Sequence, residues 1–160
     1  EFLCRFRPVR NLSELDVSDL HLLEEYIPDP IVRKRAYHVI TENGRVKEAV
    51  SVLKQNNIVR FGELMNSSHD SLSHDYEVTG IELDTLVYEG RKLEGVIGTR
   101  MTGAGFGGCA LALIETGSDH EFSHYVSSEY QKISGLTPNI YFCTARNGAS
   151  RVILPGPSML

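Results

Sequence analysis

The chemically most suggestive part of the chain is a glycine-rich stretch, Gly98-Thr-Arg-Met-Thr-Gly-Ala-Gly-Phe-Gly-Gly-Cys109. Residues 103–108 hold four glycines in six positions. Glycine at this density costs backbone entropy, but it lets the chain turn amide N–H groups toward an anion or approach another backbone closely. A plain turn between strands does not require such density. The stretch is therefore predicted to be a binding loop, while this reasoning leaves the ligand open.

Two common phosphate-binding motifs can be compared with this loop. Gly103-x-Gly105-x-x-Gly108 matches the dinucleotide-binding fingerprint, which needs a following helix whose N-terminus meets the pyrophosphate. Here five apolar residues, 110–114, run into Glu115-Thr-Gly-Ser118, which suits a strand and is too short for a helix. A dinucleotide site is therefore not expected. A Walker loop is excluded because no Gly-Lys-Ser/Thr sequence follows the glycines.

Histidines are the obvious candidates for a metal site, but their spacing argues against one. His69 and His74 are five residues apart, which turns them to different sides of a helix. His120 and His124 are one turn apart, but the sequence places no third ligand beside them. No metal ligand is predicted. The serines at 67, 68, 71 and 73 are interpreted as helix-surface and capping residues, and no catalytic residue is assigned to this chain.

Composition and charge narrow the possible partners. The chain has 160 residues, of which 41% are hydrophobic and 23% charged, as in ordinary globular domains. With 16 basic and 21 acidic residues the net charge is −5, so nucleic acid is not an expected partner. No apolar run approaches the roughly 20 residues that a membrane helix needs.

Cysteine usage indicates the compartment. Cys4, Cys109 and Cys143 are odd in number and widely spaced, without a C-x-x-C pair, so a reducing cytoplasm is expected. Cys109 and Cys143 lie in apolar runs and are predicted to be small buried side chains.

The first half of the chain predicts helices that support the loop. A short helix is expected within residues 19–26. Asp29 followed by Pro30 is a typical N-cap and first helical residue, and apolar spacing continues that helix from Ile31 to Leu53. Asn57 is the expected N-cap of the next helix, over residues 58–72. Two further helices are expected after capping boxes, Thr79-x-x-Glu82 and Ser118-x-x-Glu121.

The second half predicts strands on either side of the loop, at 96–101 and 110–114, followed by further strands at 140–144 and 150–153. Asn147-Gly148 is a typical hairpin turn between the last two. Helices first, then strands and a helix, indicate an α+β domain with an antiparallel sheet covered by helices on one face. We divide the chain into an irregular segment, 1–30, one domain, 31–154, and a tail, 155–160.

Two stretches resemble a known family. Arg100-Met-Thr-Gly-Ala-Gly-Phe-Gly-Gly-Cys109 is similar to the third signature motif of the GHMP small-molecule kinases, in the form found in galactokinases. The segment from Phe61 to Val78, followed by Glu82-Leu-Asp84, resembles the galactokinase helix pair. Arg35-Ala-Tyr-His38 also fits, although many family members have Arg in place of Tyr37. The resemblance extends from about residue 31 to residue 153.

The resemblance implies a C-terminal domain of ferredoxin-like fold in a two-lobed cytoplasmic enzyme. Such an enzyme transfers the γ-phosphate of ATP, with Mg²⁺, to the anomeric hydroxyl of galactose. The cleft and nucleotide-binding residues carried over are Thr102, Gly103, Ala104, Gly105, Phe106, Gly107 and Gly108. The galactose signature, the phosphate loop and the catalytic Asp with its Arg partner belong to the N-terminal lobe and have no match here. That lobe is therefore the implied partner, and the chain alone is expected to be inactive.

Two alternatives remain open at this stage. The chain could belong to another sugar kinase, such as an N-acetylgalactosamine kinase, or to a non-catalytic sugar-sensing or interaction module. A kinase lobe is expected to expose an apolar patch near Met101 and Phe106, where the other lobe docks. If the loop serves ligand approach at Gly105, Gly105→Val is expected to impair catalysis far more than folding.

Overall fold

The computed structural model describes residues 9–146 and 148. Two short 3₁₀ helices, Leu12–Glu14 and Val17–Asp19, lead into α1, His21–Tyr26. The long helix α2 follows, over Pro30–Lys54. Within this described part of the chain, no helix combines the length and apolarity needed to cross a membrane.

The start of α2 confirms the predicted cap. The Asp29 carboxylate accepts hydrogen bonds from the amides of Ile31, at 2.8 Å, and Val32, at 3.2 Å, and Pro30 is the first helical residue. Apolar residues before the helix pack on its first turns and form one core cluster: Val9, Leu15, Leu23, Ile27, Ala36 and Ile40. The described part of the N-terminal segment is thus packed on α2, and the boundary at residue 31 stays a prediction.

Three more helices follow the expected order. Helix α3 spans Ile58–Ser71 and begins where Asn57 accepts a hydrogen bond from the Arg60 amide at 3.1 Å. A π-helical turn, Leu72–Tyr76, continues it, and α4 spans Ile81–Gly90. Helix α5 covers Asp119–Ser134.

Both predicted capping boxes are wrong, although the helices exist. Helix α4 begins after Gly80, not Thr79, and neither Gly80 nor Ser118 makes a side-chain cap hydrogen bond. A capping side chain needs an extended N-cap backbone, whereas Ser118 is already in the helical region, with φ −84° and ψ 0°.

Strands β1, Val96–Thr102, and β2, Cys109–Ile114, form an antiparallel pair. Thr102 lies opposite Cys109, so the glycine loop is the connection of this hairpin, and the register is interrupted between Val96 and Gly98. The strand predicted at 140–144 is wrong, because residues 136–146 have no regular secondary structure. A strand requires a hydrogen-bonded neighbour, which an apolar run does not supply by itself. The strand predicted at 150–153 and Asn147 of the turn lie outside the described residues.

Helix α3 lies directly on β1 because two glycines face each other. A β-carbon at Gly62 would overlap the Ile97 backbone, and one at Gly98 would overlap the Gly62 backbone. This close approach brings two side chains of α3 to the edge of β1. Asn66 accepts a hydrogen bond from the Thr99 amide at 2.9 Å, and His69 accepts one from the Met101 amide at 3.2 Å.

A second core cluster lies beneath the glycine loop and joins Leu72, Leu83 and Met101, with Val78 packed against it. Met101 is only 2% exposed, so it is wrong to expect this side chain in a surface patch.

Cys109 and Cys143 are both exposed, also contrary to expectation. Cys109 begins β2 beside the open loop, and Cys143 lies in the irregular segment, so neither is covered by a neighbouring element.

Candidate functional site

The hairpin loop between β1 and β2 forms an open depression of about 530 Å³. It is lined by all seven residues that the sequence assigns to a binding site, together with Cys109: Thr102, Gly103, Ala104, Gly105, Phe106, Gly107 and Gly108. The register of β1 and β2 explains this grouping, because Thr102 and Cys109 pair at the base and the residues between them form the rim.

Three of the glycines face open space. Gly103, Gly107 and Gly108 have φ of +91°, +118° and +98°, and an added β-carbon at any of them would meet nothing within 4 Å. Among the described residues, the amides of these glycines have no hydrogen-bond acceptor. Unpaired amides at exposed glycines, with no side chain of their own to cover them, can donate to phosphate or sugar oxygens.

Gly105 has a different role from the other three. Its φ is +89°, and a β-carbon there would overlap the carbonyl oxygen of Val78. The neighbouring Phe106 amide donates to that same oxygen at 2.8 Å. The close approach at Gly105 is therefore to the chain's own backbone. Phe106 adopts the left-handed conformation, with φ +57°, and leaves its ring 79% exposed at the rim.

The segment carrying Val78 is held by helix α2. The Arg35 guanidinium donates to the Asp75 carbonyl and, at 2.6 Å, to a Glu77 carboxylate oxygen. The hydrogen bond and charge of Arg35 lower the pKa of Glu77, with a smaller contribution from Lys34, whose ammonium lies 3.9 Å away. The sequence places Arg35, Asp75 and Glu77 within the stretches that carry the family resemblance. It did not connect them, because nothing in their spacing shows that α2 lies against the turn after α3.

His69 is fully buried beneath the strand that leads into the loop. Its Nδ1 accepts the Met101 N–H, so the proton of the neutral ring is on Nε2, which lies 3.2 Å from a carboxylate oxygen of Asp84 without hydrogen-bond alignment. Burial lowers the pKa of His69, opposed in part by the Asp84 charge. The described residues contain no group of three or more His, Cys, Asp or Glu side chains arranged to hold a metal ion. The His69 side chain thus holds β1 by a hydrogen bond to the backbone of that strand.

The family model described as "GHMP kinases C terminal" matches residues 49–132, which is more than half of the chain. The chain therefore belongs to the GHMP kinases and contains their C-terminal domain. This confirms the family resemblance and the α+β fold class with a pair of antiparallel strands.

Galactokinases are among the proteins and solved structures that the chain is similar to. The chain is 44% identical to the galactokinase of Fusobacterium nucleatum, over 90% of this chain and 37% of that protein. It is also 44% identical to the galactokinase of Clostridium beijerinckii, over 94% of this chain and 39% of the relative. A crystal structure of Lactococcus lactis galactokinase in complex with galactose matches with a TM-score of 0.78 and 43% identity, over 81% of this chain and 33% of that one. The chain thus spans less than two fifths of these proteins.

Proposed function

We propose that this chain is the C-terminal lobe of a galactokinase, an enzyme that transfers the γ-phosphate of ATP to the anomeric hydroxyl of galactose. The observation that carries the proposal is the loop 102–108, with its galactokinase-type sequence and its open glycine surface. Similarity to galactokinases at 44% identity over most of the chain supports it.

In this proposal the loop supplies one wall of the cleft between two lobes. The amides of Gly103, Gly107 and Gly108 donate to ATP phosphate oxygens, and the absence of side chains lets the nucleotide come against the backbone. Such donors suit phosphoryl transfer, because that reaction is promoted mainly by positioning and charge stabilisation. The open, donor-rich surface therefore fits a polyphosphate.

Magnesium, when bound with ATP, neutralises charge that develops on the phosphates. The family resemblance assigns no Mg²⁺ ligand to a residue of this chain. The catalytic acid–base group and the sugar-recognition residues are assigned to an N-terminal lobe, and we place the enzyme in the cytoplasm. The present chain, as the C-terminal lobe alone, is then expected to have no kinase activity.

A chimera tests the proposal. The segment of Fusobacterium nucleatum galactokinase that aligns with this chain is replaced by this chain, and galactose-dependent ADP formation is measured. We expect turnover by the chimera and none by this chain alone or by the relative's N-terminal lobe alone. A chimera that folds and binds galactose but does not turn over would contradict the kinase proposal and favour a non-catalytic module. Turnover by this chain alone would contradict the assignment of catalysis to another lobe.

A further inference from the structure

Helix α2 contacts the segment that supports the glycine loop. From this geometry we infer that Arg35 is a positioning residue for the loop, acting through residues 75–78. The structural part of this inference concerns this chain alone, whereas the effect of Arg35 on catalysis rests on the function proposed above.

The first step is the pair of hydrogen bonds that Arg35 donates to the turn after α3. Its guanidinium donates to the Asp75 carbonyl and to the Glu77 carboxylate, so one planar group holds a backbone atom and a side chain two residues apart. Lys34 adds a weaker contact, with its ammonium 3.5 Å from the His74 carbonyl.

The second step concerns the backbone conformation of Glu77, next to these hydrogen bonds. Glu77 ends the π-helical turn in the left-handed conformation, with φ +57° and ψ +48°, which is strained for a non-glycine residue. The N–H groups of Glu77 and Val78 both donate to the Leu72 carbonyl, and the ion pair of the Glu77 side chain with Arg35 adds a contact that favours this conformation. This conformation directs the next carbonyl, that of Val78, toward the loop.

The third step joins Val78 to the loop. Its carbonyl accepts the Phe106 amide at 2.8 Å, and Gly105 lies so close that no β-carbon fits between them. Among the described residues, no other backbone hydrogen bond joins loop residues 103–108 to another segment. A shift of Val78 therefore shifts residues 105 and 106, and with them the open face of the site.

Loss of Arg35 is not expected to unfold the protein. The Arg35 and Glu77 side chains are 30% and 52% exposed, and ion pairs with this exposure contribute little stability. Other contacts remain on the segment: His38 stacks on Tyr76 with ring centroids 4.8 Å apart, and Ser71 donates to Asp75 at 2.8 Å. The segment stays folded and only the conformation around Glu77 is released.

Arg60 provides a matched control. It lies on the exposed side of α3 and pairs with Glu48 and Glu63, both at 2.7 Å, so Arg60→Ala removes two exposed ion pairs without touching the loop.

The first experiment measures amide hydrogen exchange by NMR in this chain. In Arg35→Ala the Phe106 amide is expected to exchange at least about tenfold faster, with the melting temperature within a few degrees of the parent. Arg60→Ala is expected to leave that amide unchanged. Glu77→Ala has a smaller effect because the Asp75 contact survives, and the double variant with Arg35→Ala exchanges no faster than Arg35→Ala alone. Unchanged exchange in Arg35→Ala, or equal acceleration in Arg60→Ala, would overturn the inference.

The second experiment measures kinetics in the chimera. Arg35→Ala is expected to raise KM for ATP and lower kcat/KM about tenfold or more, while Arg60→Ala leaves both near the parent values. If the parent chimera has no activity, the proposed function fails, and the exchange result still decides the structural part. Faster exchange with unchanged kinetics would refute the catalytic consequence of the positioning role.

Discussion

The four loop glycines divide into two kinds at the residue scale. Gly103, Gly107 and Gly108 leave open space over the backbone, whereas Gly105 lets the loop pack on the Val78 carbonyl. This changes what a substitution is expected to do. The sequence suggested that Gly105 serves the approach of a ligand, but its packing on Val78 predicts a loss of stability as well.

Gly103 and Gly105 are a natural pair for separating strain from overlap. Their φ angles, +91° and +89°, are nearly equal, so Gly103→Ala and Gly105→Ala cost a similar backbone strain of about 1–2 kcal/mol. Only Gly105→Ala adds the overlap with Val78, which costs about 1–3 kcal/mol more. Its melting temperature should therefore be lower than that of Gly103→Ala by at least a few degrees. Equal melting temperatures would show that Gly105 does not pack as described.

At the element scale, the contact of α3 with β1 determines where the loop begins. Gly62 and Gly98 allow the close approach, and Asn66 and His69 then accept amide hydrogen bonds from β1. Nearby charges affect the pKa of His69: the carboxylates of Asp84 and Asp70 raise it, and the guanidinium of Arg91 lowers it. A neutral ring is required, because a protonated Nδ1 could not accept the Met101 N–H.

Stability is therefore predicted to fall in mild acid. Burial lowers the pKa of both His69 and His38, so folding favours their neutral forms. Their contribution is complete above the unfolded value of about 6.5 and is lost as the pH falls through the folded values. Glu42 and Glu77, with lowered pKa, add a loss of the same sign at lower pH.

Urea denaturation at pH 7.5 and pH 5.0 measures this effect as a difference in the free energy of unfolding. The control is His69→Asn, which offers an acceptor near Met101 and does not titrate, so its pH dependence should be weaker. A protein that is equally stable or more stable at pH 5.0 would contradict the role given to these histidines.

The elements themselves were largely predictable from the sequence, and their contacts were not. Asp29, Pro30 and Asn57 identify helix starts because capping depends on local chemistry. Residues 140–144 show the limit of that approach, since their apolar pattern fits a strand but says nothing about a neighbour. Glycine density predicted a binding loop, whereas the link from Arg35 to Val78 depends on the packing of α2 against a distant turn.

At the scale of the whole molecule, the glycine loop is an exposed surface of this chain. The loop is open, Phe106 projects from its rim, and the described residues hold no metal-binding cluster beside it. Related galactokinases are more than twice as long as the aligned part of this chain. The open loop and the greater length of the relatives are what the proposed cleft between two lobes requires.

The measurement that tests this account most directly compares Gly108→Ala with Gly117→Ala in the chimera. Both glycines have φ of +98° and nothing within 4 Å of an added β-carbon, but Gly117 lies in the turn between β2 and α5. The two variants should lose similar stability. Gly108→Ala should lower kcat/KM at least about tenfold, or roughly 1.4 kcal/mol of transition-state stabilisation, while Gly117→Ala stays near the parent. Equal kinetics in the two variants would contradict the claim that this loop forms a wall of the active site.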